Sequence, residues 1–162
     1  MPPRTTRWTL LRLAKLAGVA VKVAYEARDR QVLHPDILGP SDALPLRTFD
    51  ALRRVSWPTE QRGRATRQAV RLWESIAIEK SRMDLNDVGH ATGMYVHPQG
   101  AELAIKPSDH AVMALRLAEA HVPHLYLPIG HWASQTLVRL VELSDDGEPA
   151  AGDDETPRDA KA

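Results

Sequence analysis

WTLLRLAKLAGVAVKVAYEARDRQVLHPD, residues 8–36, reads as two short helices broken by a tight turn at Ala17-Gly18-Val19. Thr9 is placed to cap the first helix, its hydroxyl accepting from a free backbone N–H of the first turn. Leu10, Leu13, Ala14 and Ala17 then recur at three- and four-residue spacing on one face. Gly18 closes that helix, because the position after the last turn favours positive φ, which glycine reaches without steric cost. The second helix, about Ala20 to Arg30, has Ala24 and Ala27 to bury and leaves Lys22, Tyr25, Arg28 and Arg30 on its other sides. A helix presented in this way fits a DNA major groove.

Downstream, Pro35 ends the helical pattern by disfavouring α conformation at His34. Ile37-Leu38 and Ala43-Leu44-Pro45-Leu46 flank the turn residues Gly39-Pro40-Ser41-Asp42, a pattern that predicts a short hairpin with Pro45 at an edge. Thr48 is the expected cap of a following helix with Phe49, Leu52 and Val55 inward and Arg47, Arg53 and Arg54 outward, and Trp57 reads as a core plug. From Thr59 to about Arg82 a long helix is expected. Ala65, Ala69, Leu72, Ile76 and Met83 form its apolar stripe, and Arg62, Arg64, Arg67 and Arg71 gather in its first half. That stripe fits either a copy of itself in a second subunit or the C-terminal part of the same chain.

Beyond a loop at 86–93, Met94–His97 and Ala101–Ile105 read as a second hairpin. A helix opens at Pro107, and Val112, Met113, Leu115 (or Arg116), Leu117 and Ala120 continue it to about His121. His124–Ile129 supplies a third strand, and Trp132–Leu143 a final helix with Ala133, Leu137, Leu140 and Val141 inward. Ser144–Ala162 is polar and acidic, with the composition of a disordered tail. The predicted fold class is α+β: a winged helix-turn-helix at 1–58, a connector or dimerisation helix at 59–83, a β-hairpin-α-β-α module with a small three-stranded sheet at 84–143, and the tail from 144 to 162.

Leu13-Ala14, Gly18-Val19, Leu33-His34-Pro35, the turn at Gly39–Asp42 and Phe49–Leu52 together resemble the winged helix-turn-helix of MerR-type regulators and the related phage and plasmid excisionases. The resemblance covers about residues 8–57. It departs at Ala20, where a capping Ser is usual, in the recognition helix, where the Arg and Tyr typical of MerR are absent, and at Asp42, where a wing tip commonly has a basic residue. It implies a dimeric protein that binds double-stranded DNA, as a transcriptional regulator or a recombination accessory factor.

Charge points the same way. The formal net charge is zero, yet Met1–Arg82 has 16 Lys and Arg against 8 Asp and Glu, and the remainder 5 against 13. Phosphate neutralisation needs local rather than global charge, so the basic half is the one suited to DNA. A basic arm at residues 1–7 could add contacts through Arg4 and Arg7. The expected DNA-contacting residues are Thr9, Lys15, Lys22, Tyr25, Arg28, Arg30, Arg47 and Arg54, with Ala65, Ala69, Leu72 and Ile76 as the expected dimer interface.

Other chemistry is thinly represented. No cysteine is present, which excludes disulfides and thiolate metal sites. Six of seven histidines lie between His90 and His131, but Pro123 interrupts His121-x-x-His124 and no metal or cofactor is expected. Leu127-Pro128-Ile129-Gly130-His131 is a weak candidate for an anion at a helix start. Neither a nucleophile elbow nor a local carboxylate pair suggests catalysis, and nothing supports a small-molecule effector. A cytoplasmic, nucleoid-associated protein without a membrane segment is expected. The alternatives are an adaptor that uses its winged helix on a protein, or a ligand-sensing or hydrolytic module in the C-terminal half.

Overall fold

The computed structural model describes residues 7–58 and 70–145. The fold is mixed α and β, with six α-helices and a three-stranded antiparallel sheet among the described residues. The first two helices are α1 (Leu10–Ala17) and α2 (Val21–Asp29). Thr9 Oγ1 accepts from Arg12 N at 3.2 Å, and Gly18 sits in the left-handed region at φ 72°. Val19 N then bonds Ala14 O at 3.0 Å, which closes the end of α1. Leu13, Leu16, Val23, Ala24 and Ala27 are buried where the two helices meet.

No hairpin follows. Pro35–Ile37 and Pro40–Asp42 each form a single 3-10 turn, and α3 runs from Ala43 to Leu52. The prolines decide this, because a fixed φ near −65° and a missing N–H suit the first position of a helical turn and weaken a ladder. Asp42 adds to it by accepting from Gly39 N at 3.0 Å. Pro45 falls in the first turn of α3, where no backbone partner is lost, and Thr48, expected as a cap, is buried inside the helix. The expected wing is therefore a helical corner.

The long connector is also revised. The described helix, α4, begins at Leu72 and ends at Lys80, with Arg71 extended at ψ 155°. Residues 59–69, which include Ala65 and Ala69, lie outside the described residues. Arg71 does not join a solvent-facing basic row. Its guanidinium lies over Trp73 at 4.4 Å and donates to Glu74 Oε1 at 3.2 Å, to Leu52 O at 2.9 Å and to Val55 O. It thus satisfies carbonyls at the end of α3 while pairing a Glu74 that is 1% exposed. Trp57 is buried, edge-on to Trp73 at 5.3 Å between ring centroids.

Strands β1 (Gly93–His97) and β2 (Gly100–Ala104) form a hairpin with Met94 opposite Leu103, and β3 (Leu125–Leu127) pairs on the other side of β1 with Leu127 opposite Met94. Between β2 and β3 lies α5 (Pro107–Glu119), and α6 (Ile129–Asp145) completes the fold. Alternation puts Met94 and Val96 into the core, and Tyr95 and His97 on the other face. Val112 and Leu115 of α5 are 66% and 60% exposed, and Val141 of α6, expected inside, is 60% exposed. Leu117 is buried and Met113 half-buried, and His110 completes that inner stripe of α5.

Two core clusters share walls. Ala43, Leu46 and Phe49 of α3 join the α1–α2 cluster, whereas Leu44 and Leu52 join the cluster under the sheet; α4 divides likewise between Ile78 and Trp73–Ala77. Packing thus runs across the boundaries near residues 58 and 83, and α6 lies against both α1 and α3. Among the described residues no helix is long and apolar enough to cross a membrane.

Candidate nucleic-acid interface

Burial of Val23, Ala24 and Ala27 fixes how α2 is rotated, and leaves Val21, Lys22 and Asp29 exposed with Tyr25 and Arg28 half-buried beside them. Lys22 stands in the first turn, the end that reaches base edges when such a helix docks. The Arg28 guanidinium lies 5.0 Å over the Tyr25 ring and bonds Asp29 Oδ1 at 3.1 and 3.2 Å. Ring and carboxylate hold that guanidinium in one orientation. This pairing is exposed, so about 1 kcal/mol or less is needed to exchange Asp29 for another acceptor.

Arg30 is turned away from the outer face. It pairs with Glu26 at 2.8 Å and lies 5.8 Å over Phe49. Glu26 also takes Arg53 of α3 at 2.7 Å, and Arg53 reaches Asp50 at 3.4 Å. Arg53 was therefore a residue whose role local pattern missed: it ties α2 to α3, and its partner lies 27 positions away. From Val21 to Arg30 three cations face two carboxylates, so the helix surface is mixed in sign rather than uniformly basic.

The remaining expected contacts scatter. Thr9 uses its hydroxyl as the α1 cap, and Lys15 is exposed in the last turn of that helix. Arg47 is directed at α6, where it bonds Gln135 Oε1 at 2.8 Å and lies 4.7 Å over Trp132. Burial, then the nearby positive charge of Arg139, lowers its pKa below the usual arginine value. Arg54 is exposed just past α3. Arg139 of α6 contacts the helix-turn-helix from far along the chain: its Nη1 is 3.5 Å from Leu16 O, at the negative end of α1. Of the expected dimer residues that are described, Leu72 is 79% exposed, and Ile76 packs on Gly100 at 3.4 Å from where a Cβ would stand.

Other candidate sites are less open than their sequence suggests. At the start of α6, Gly130 N donates to Thr92 O at 2.7 Å, and a Cβ on Gly130 would stand 2.3 Å from Gly89 O. Carbonyls therefore crowd that helix start, which is unfavourable to an anion. Tyr95 Oη and His110 Nδ1 are 3.0 Å apart and His110 Nε2 is 2.7 Å from Ala91 O, so Nε2–H donates to the carbonyl and the phenol donates to Nδ1. Burial raises the Tyr95 pKa, which keeps that phenol a donor. Among the described residues no group of three or more His, Asp or Glu is arranged to hold a metal.

A cleft of about 570 Å³ opens between Pro40-Ser41, the segment Arg82–Asn86, and Leu137 and Leu140 of α6. Its polar rim is largely self-satisfied. Arg82 bonds Asp42 at 3.1 Å, Glu79 at 3.0 Å and Val32 O at 2.7 Å, and Asp84 accepts from Asn86 N at 2.9 Å.

Comparison with protein-family models, with curated proteins and with solved structures gives no match.

Proposed function

We propose that the chain is a double-stranded DNA-binding protein of the helix-turn-helix kind, a transcriptional regulator or a phage or plasmid accessory factor, acting as a homodimer in the cytoplasm on the nucleoid. The observation that carries this reading is the α1–Gly18–α2 corner, whose second helix buries Val23, Ala24 and Ala27 and turns Lys22, Tyr25 and Arg28 outward. In the docked state Lys22 reaches the groove from the first turn of α2. Arg28 exchanges Asp29 for a guanine edge or a phosphate, with Tyr25 supporting its guanidinium plane. Arg54 and the exposed Lys15 contribute backbone contacts. Two copies on a two-fold axis would read a repeated site, since one module of this size gains little specificity alone.

Fluorescence anisotropy on random and selected duplexes at two salt concentrations tests this. Arg28→Ala is expected to weaken the selected site by about 1–3 kcal/mol. Arg54→Ala should weaken all sequences alike and flatten the salt slope by about one. A wild-type protein with no affinity for any duplex at low salt would refute DNA binding. The mixed charge of α2, with Glu26 and Asp29 among its cations, then favours the second reading, an adaptor that presents this helix to a protein.

A further inference from the structure

Trp132, Gln135 and Arg139 recur at three and four positions along α6 and so share one face of that helix. Arg47 reaches this face from α3, bonding Gln135 Oε1 at 2.8 Å and lying over the Trp132 ring. Arg139 stands one helical turn beyond Gln135, with its guanidinium against Gly18 and its Nη1 3.5 Å from Leu16 O. Helices α1, α3 and α6 thus bring two half-buried guanidinium groups to one junction.

No opposite charge accompanies them. Among the described residues neither arginine forms an ion pair: Asp50, three positions from Arg47, bonds Arg53 at 3.4 Å, and Glu142, three positions from Arg139, is exposed. A charge drawn out of water is normally paired, and two of the same sign side by side repel. Burial and then the charge of Arg139 lower the Arg47 pKa, with Asp50 opposing. An anion relieves that repulsion, and most N–H donors of the two groups remain open to it.

The surroundings indicate which anion. Arg139 lies against Gly18, and Gly18, Ala20, Val21 and Lys22 are all exposed at the entry to α2. Ala20 supplies no side-chain cap, so the first N–H groups of α2 add to the positive side of the junction. A helix laid in a groove meets the sugar-phosphate backbone beside its start.

We propose that Arg47 and Arg139 form a phosphate-binding site beside the start of α2, which takes one backbone phosphate of duplex DNA and makes α6 part of the nucleic-acid interface. The site rests on the reading of α2 as the groove helix. It sets how α2 is seated and has no base preference, since a phosphate contact positions without specifying.

Anisotropy of the full chain on a selected and a random duplex, over a range of salt, tests the site. Arg47→Gln and Arg139→Gln should each weaken both duplexes alike, by about tenfold. The salt slope should fall by about one in each single variant and by no more in the double variant, because the two side chains serve one phosphate. Arg139→Lys keeps the charge and the packing on Gly18, so it should keep the wild-type slope with an affinity between wild type and Arg139→Gln. Variants that bind both duplexes as wild type does, or an Arg139→Lys protein as weak as Arg139→Gln with the same reduced slope, would overturn the site and leave DNA binding standing. A wild type with no affinity for any duplex removes the groove reading, and inorganic phosphate then decides the site. Phosphate in place of chloride at equal ionic strength should raise the melting temperature of wild type more than that of the double variant, and an equal rise in both would overturn the site.

Discussion

Replacing Arg71 by Ala removes the clamp between α3 and α4 and leaves Glu74 in place. Glu74 is 1% exposed, and its Oε1 accepts from Arg71, from N at 3.3 Å and from Nε at 3.2 Å. Breaking a buried ion pair by removing one partner costs about 3–5 kcal/mol, and the lower end applies because the Arg71 side chain is partly solvated. The carbonyls of Leu52 and Val55 lose a charged donor as well, about 1 kcal/mol together when water replaces it in part. The sum, about 4 kcal/mol, is a large share of the 5–15 kcal/mol typical of a domain. Urea denaturation followed by the fluorescence of Trp57 and Trp73 measures it. The companion variant, Arg71→Met with Glu74→Met, removes both charges and should recover most of the loss, since apolar replacement of a buried pair is often close to neutral. An Arg71→Ala protein within about 1 kcal/mol of wild type, or a double variant as unstable as the single one, would refute the reasoning.

Gly18→Ala should cost about 1–2 kcal/mol from the left-handed backbone, plus the displacement of Arg139, whose Nη1 would be 2.4 Å from the new Cβ. The excess should vanish in an Arg139→Ala background in a double-mutant thermal melt. Thr9→Ala should lower stability by about 1 kcal/mol by uncapping α1, read as a lower urea midpoint. His97 has its pKa lowered, by burial first and against the opposing pull of Glu102. The unfolded chain therefore binds that proton more readily, and stability should fall as pH drops below the usual histidine value towards the folded one. His97→Gln should flatten the stability profile in that window, and an unchanged slope would remove His97 as its origin.

The sequence by itself determined the α1–Gly18–α2 corner, the hairpin, α5, third strand and final helix in order, and the place of Trp57 in the core. Each is a local decision: a cap that meets a first-turn N–H, a glycine at positive φ, or an apolar period within one element. Tertiary structure decided what local pattern leaves degenerate. Around Gly39 the turn residues suit a hairpin or a helical corner equally. The corner prevails because Pro40 and Pro45 fit helical first turns, Asp42 caps Gly39, and α3 is needed as a wall for both core clusters. On α5 apolar residues run round the helix, so periodicity does not say that Met113 and Leu117 turn inward while Val112 and Leu115 turn out, and the hydrogen bonds of His110 with Tyr95 and Ala91 accompany that rotation. The basic residues show the same limit. Arg47, Arg53 and Arg71 read as surface charge, yet each is held by a partner from another part of the chain, Gln135, Glu26 and Leu52 in turn. Charge sign is written in the sequence; which charges remain for a ligand depends on long-range pairing.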